Sequence, residues 1–286
     1  MFFSFFKPTK LAQISFAFLA SISIFFFNPN VELGVLFFSS FLIFFLTFLL
    51  CVLIISKNLY YTNNNFSSLA VIYFTFFLIE SEIKASAYIS SFFLIFTLRK
   101  IYLLTSEKRV NAKLFDIGFW FAISVIASYY SILFTPTLLF GIFLFFKMNV
   151  KTLGKVLTGV LAAISIFLFT NYLLPQHESY TNFLNFSEFH FSIPDNQLIV
   201  ILLFISALFC YYIFKNFSKN LKTRTHNFFV IVYFLNSLAL VLISKDLFIF
   251  LLFPFLISFS NIISKLKHKL VFELTSILIL FVIYYV

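Results

Sequence analysis

Three groups of side chains in this sequence could carry chemistry. Glu80 and Glu82 close one apolar run and share their predicted aqueous side with Glu32, His177, Glu178, Glu188 and His190. A carboxylate beside an imidazole can act as a general base or hold a divalent metal. Two carboxylates two positions apart do not share a helix face, but both can reach an ion held by a loop. Glu32, Glu80 and Glu82 are therefore the candidate catalytic acids of the predicted outer face. The sequence holds no metal-ligand spacing and no cofactor fingerprint: a P-loop, a dinucleotide-binding glycine pattern, HExxH and a nucleophile elbow are all missing.

The second group lies in Leu98–Trp120, LRKIYLLTSEKRVNAKLFDIGFW. Guanidinium and ammonium groups clamp phosphate or pyrophosphate oxygens, and Arg does so with two parallel hydrogen bonds. Arg99, Lys100, Arg109 and Lys113 are the candidate phosphate- or headgroup-binding residues. Asp116 reads as a first-turn helix residue that complements the helix dipole. The same charges also serve topology, with Trp120 as an interfacial anchor. The third place to search is the middle of the apolar runs, where ion-coupled transporters keep ionisable groups. None occurs there. Asn171, Asn236 and Asn261 are the main strongly polar side chains inside predicted helices, placed for interhelical hydrogen bonds.

The elements that must position these groups are dictated by composition. The chain of 286 residues is 62% hydrophobic and 10% charged, with mean hydropathy +1.05. A soluble domain carries about 25% charged residues, so this one has too little polar surface to face water all round. Long continuous apolar runs, such as Phe37–Ile55 and Leu198–Phe214, exclude the alternating pattern of a membrane barrel. The expectation is an all-α, polytopic transmembrane bundle, one integral membrane domain over 1–286. About eleven segments follow from the charge, Pro and Asn breaks: 11–27, 33–55, 66–79, 86–104, 114–134, 137–146, 154–174, 198–214, 228–243, 247–263 and 270–286. The pair around Pro136 reads either as two short spans or as a re-entrant hairpin. No soluble domain, linker or clear internal repeat is evident. The 50 Phe fit a coding bias in which Phe is a lipid-compatible filler, alongside 17 Lys against 3 Arg. Cys51 and Cys210 read as small packing residues.

Charge orients the bundle. With a cytoplasmic N-terminus, 18 of the 20 basic residues fall on the inner side, leaving Lys84 and Lys245 outside. The net charge of +10 is then an asymmetry across the bilayer. The expected partners are the lipid bilayer and anionic headgroups at its inner face, not nucleic acid. No cofactor is expected.

Three stretches carry a resemblance: FFSFFKPTKLAQISF at the start, FFLIFTLRKIYLLTSEKRVNAKLFDIGFWFAI at the centre and PFLISFSNIISKLKHKLVFELTSILILF at the end. Together they resemble a polytopic inner-membrane protein family of the Bacteroidota type, known as a domain of unknown function. The resemblance implies topology and bacterial inner-membrane location, but no mechanism. A more distant similarity is to multi-span glycosyltransferases that use polyprenyl-phosphate sugars. There a basic inner loop precedes a small-residue helix and a short helix pair, here Arg99–Lys113, Phe115–Tyr130 and Pro136–Phe146. In those enzymes the catalytic acid sits in a sizeable first outer loop. The matching loop here is Asn28–Glu32, with Glu32 its sole acid. The leading expectation is an integral inner-membrane protein of the cell envelope with no assignable activity, a scaffold or partner subunit. The alternatives are a polyprenyl-phosphate-sugar-dependent glycosyltransferase or lipid-linked sugar handler, with Glu32, Glu80 or Glu82 as base, and a transporter of lipid or small hydrophobic solutes.

Overall fold

A computed structural model describes residues 11–26, 35–58, 66–79, 84–106, 108–173, 196–216 and 221–265. Among them every regular element is helical. Six helices among the described residues are long and apolar enough to cross a membrane: Phe38–Ser56, Val110–Ala127, Val150–Thr170, Asn196–Asn216, Arg224–Ile243 and Lys245–Ile263. The chain divides into two compact units, one of residues 84–191 and the other of residues 1–83 with 192–286.

The unit built from both chain ends contains α1 (Leu11–Phe26), α2 (Val35–Asn58) and α3 (Phe66–Ile79), then α8 (Asn196–Asn216), α9 (Leu221–Ile243) and α10 (Leu252–Lys265). The helices of the other unit take the labels α4 to α7. A 3₁₀ turn over Lys245–Leu251 feeds α10. From Leu247 to Ile263 every residue is buried. A helix buried on all sides lies inside a bundle, and α10 packs against α2, α3, α8 and α9. Its seam with α3 is aromatic: Phe74 meets Phe248 at 5.3 Å and Phe255 at 5.5 Å, and Tyr73 meets Phe259 at 5.3 Å, between ring centroids. Phe209 and Phe234 stack at 4.0 Å between α8 and α9. Many Phe are therefore core residues in specific ring pairs, beyond the lipid-facing filler their number suggests. Of the cysteines, Cys51 is buried and Cys210 is exposed on α8.

The second unit contains α4 (Ala85–Leu103), α5 (Val110–Ala127), α6 (Thr135–Phe145) and α7 (Val150–Leu173), with a 3₁₀ turn over Tyr129–Phe134 leading into α6. Helices α4 and α5 are antiparallel: Ser90 bonds Ser124 at one end and Lys100 bonds Asp116 at the other. Helices α5 and α7 start at the same end, where Lys155 bonds Asn111. Their backbones touch: a Cβ on Gly118 would lie 2.0 Å from the Val156 carbonyl oxygen, and one on Gly159 would lie 2.1 Å from that of Phe115. Only glycine permits that approach. The N-terminus of α7 is closed by a reciprocal cap: the Thr152 N–H donates to Asn149 Oδ1, and the Asn149 N–H donates to Thr152 Oγ1, both at 2.9 Å.

The structure relocates the turn expected at Pro136. Helix α5 ends at Ala127, and Ser128 is extended (φ −151°, ψ 114°). Pro136 instead sits in the first turn of α6, where its missing N–H has no helical partner to lose. The arm Tyr129–Phe145 then returns across the unit. Near its start Ser131 Oγ bonds Ser90 Oγ at 2.5 Å, and at its end the Phe145 ring meets Tyr102 at 5.3 Å. Ser90 and Tyr102 lie about 18 Å apart along α4, from 1.5 Å of rise per residue. The arm therefore runs back beside α4 to the end where α7 begins.

Candidate functional site

Because α4 ends, α5 begins, α6 ends and α7 begins at one end of the residue 84–191 unit, their termini collect charge there. Arg99, Lys100, Lys108, Arg109, Lys113, Lys147, Lys151 and Lys155 all belong to this end. The opposite end, among the described residues, has only Lys84. The basic loop read from Leu98–Trp120 is thus half of a larger basic surface, completed by the α6–α7 connection.

The four predicted phosphate-binding residues fall into two pairs. Lys100 Nζ lies 2.6 Å from Asp116 Oδ2, with both side chains half-exposed. Lys113 Nζ donates to the backbone oxygens of Leu103 at 2.7 Å and Ser106 at 2.8 Å. It thereby closes the C-terminus of α4, where unpaired carbonyls and the dipole favour a cation. Arg99, in the last turns of α4, is half-buried, and Arg109 is exposed. Neither guanidinium has a hydrogen bond or ion pair among the described residues. The same holds for the ammonium groups of Lys108, Lys147 and Lys151. Lys155 is held by Asn111.

One local reading changes. Asp116 is not in the first turn of its helix: α5 starts at Val110, and Asp116 lies in its second turn as the partner of Lys100. Gly118, two positions on, lies at the α5–α7 crossing. Trp120 stacks on Phe93, with ring centroids 5.5 Å apart and planes 7° apart, which fixes α5 against α4 one turn beyond Asp116. Arg109 itself caps α5 in the left-handed region, φ 54° and ψ 40°. That conformation is uncommon for a residue other than glycine.

At the opposite end of the unit three buried serines form a closed network. Ser90 Oγ donates to the Ser124 carbonyl and Ser124 Oγ donates to the Ser90 carbonyl, each at 2.9 Å. The two hydroxyl oxygens also lie 3.0 Å apart; each hydroxyl has one proton, and with those of Ser90 and Ser124 on the carbonyls, Ser131 is the donor to Ser90. These serines are 34 and 41 positions apart, and nothing in the sequence links them. The predicted acids Glu32, Glu80 and Glu82, and with them His177, Glu178, Glu188 and His190, lie outside the described residues.

Helix length, composition and burial together define the class: a multi-pass α-helical membrane protein. Set beside known proteins, the chain matches no family model, no curated protein and no solved structure.

Proposed function

We propose that this chain is a multi-pass protein of a bacterial inner membrane whose residue 84–191 unit holds the phosphate of an anionic lipid headgroup at its basic end. The N-terminus and the basic end face the cytoplasm in this reading. One observation carries it: Arg99 and Arg109, at the facing ends of one hairpin, have no partner among the described residues, at an end where Lys100, Lys113 and Lys155 are already engaged. An apolar bundle places such an end at headgroup depth. Arg is the side chain best suited to bidentate phosphate contact, and each basic residue near an anionic surface contributes about 1 kcal/mol. The scaffold and lipid-handling expectations both accommodate such a site. The glycosyltransferase alternative rests on Glu32, Glu80 and Glu82 and draws no support from it.

The test measures phosphatidylglycerol retained by the purified protein, by native mass spectrometry, against phosphatidylcholine. Arg99→Gln combined with Arg109→Gln is expected to weaken retention about thirtyfold, from the loss of two such contacts at about 1 kcal/mol each. Retention equal to the parent would reject the site. Inorganic phosphate is expected not to displace the lipid; displacement would indicate a soluble ligand instead. Reporters fused after Lys155 and after Glu188 should map to opposite compartments, and finding them together would overturn the orientation.

A further inference from the structure

The site just proposed contains its own competitor. Asp116 is the only acidic side chain described in the residue 84–191 unit, and it lies 2.6 Å from Lys100 at the basic end. A carboxylate and a phosphate offer the same thing to an ammonium group: anionic oxygens at hydrogen-bond distance. Asp116 also lies three positions after Lys113 on α5, so it shares that helix face. Resting on the headgroup reading, we infer that Asp116 is an internal stand-in for the lipid phosphate, which withholds Lys100 and holds the affinity of the basic end down. The side chains of the pair are 25% and 33% exposed. A pair this open to water is weakly held, so Lys100 is readily released to an incoming phosphate. Lys113 is not equivalent, because its ammonium closes the α4 carbonyls. Asp116 therefore controls how many cations the site can present.

The experiment compares phosphatidylglycerol binding, in nanodiscs otherwise of phosphatidylcholine, for full-length variants whose thermal unfolding is followed in parallel. Asp116→Asn frees Lys100 and is expected to tighten binding five- to tenfold. Asp116→Ser is the second variant should the amide fail to fold. Asp116→Glu keeps the charge and should bind as the parent does. Ala112→Lys, at an exposed position in the first turn of α5, adds the same net charge without releasing Lys100 and should gain less than Asp116→Asn does. Parent-like binding by both the Asn and the Ser variant overturns the inference, as does a gain in Ala112→Lys equal to theirs. In either case the parent's preference for the anionic lipid, and its loss on replacing Arg99 and Arg109, would still uphold the headgroup site. Absence of that preference would instead remove the site itself.

Discussion

The chain reverses at Ser128 and at Ser244 by the same local device and secures the two reversals by different means. Each serine follows a long helix, is extended (φ −151° and −150°), donates its N–H to the carbonyl four positions back, and opens a 3₁₀ turn that runs directly into a helix. After Ser128 the arm is fastened by hydroxyls, through Ser131 and Ser90 to Ser124. After Ser244 it is buried among rings: Phe248 and Phe255 against Phe74, and Phe253 against Tyr233. A hydroxyl also reaches that arm: Ser237 Oγ lies 3.2 Å from the Phe250 carbonyl oxygen. Small residues let α4, α5 and α7 approach until polar groups can reach one another. Large residues keep the α10 neighbourhood apart and fill the space with aromatic area. A turn whose backbone geometry is fixed locally can thus be anchored by either kind of packing.

Proline at the two serines tests whether the turns are truly alike. Ring closure fixes φ near −65° and removes the N–H, whereas both serines need φ near −150° and use that N–H. Ser128→Pro and Ser244→Pro should each cost about 3 kcal/mol or more. Thermal unfolding in detergent micelles measures both, and Trp120, the single tryptophan, reports on the residue 84–191 unit, which holds Ser128. If Ser128→Pro left unfolding unchanged, the extended turn would not be the structure at that position.

Glycine substitutions sharpen the packing half of the comparison. Gly118→Ala places a Cβ 2.0 Å from a backbone oxygen that no rotamer change can move. Helices α5 and α7 must separate, at a cost of about 2 kcal/mol. Gly154→Ala meets nothing within 4 Å. It should instead stabilise the same α7 by about 0.5 kcal/mol, through helix propensity. Opposite signs in one melting series would establish the close crossing; equal effects would show that the helices do not touch.

How legible this was from the sequence depended on the kind of signal. Apolar runs bounded by charge located most of the helices, because burial in lipid or protein leaves the same mark. That ambiguity has a cost: α7 is largely exposed and Leu247–Ile263 wholly buried, yet both read simply as apolar. The turn at Ser128 was missed because serine between Ala127 and two tyrosines is weak punctuation, and Pro136 nearby is strong. Proline marked the start of a helix, not the reversal. The membership of the basic end was readable as a cluster of charges. The pairing of Lys100 with Asp116, and of Lys155 with Asn111, needed the register of α4, α5 and α7. The serine network carried no signal, since a buried hydroxyl looks like any other small residue in an apolar run.

The smallest effect expected is also the one that separates the two means of fastening most directly. Ser90→Ala removes the donor to the Ser124 carbonyl and the acceptor of Ser131 at once, in a fully buried site. The Ser124 carbonyl keeps the Ser128 N–H as a donor, so the Ser131 hydroxyl is the group left unsatisfied; that costs about 1–3 kcal/mol, although single interhelical bonds in membranes average nearer 0.6 kcal/mol. The expected loss is about 1.5 kcal/mol. Ser237→Ala removes a hydroxyl whose single proton is shared between the Tyr233 carbonyl of its own helix at 2.8 Å and the Phe250 carbonyl at 3.2 Å, the nearer one taking the larger part. Aromatic burial remains around it, so the loss there should be about 0.5 kcal/mol. Equal losses would mean that the hydroxyls matter no more at Ser128 than at Ser244. The first arm would then be held, like the second, by apolar contact alone.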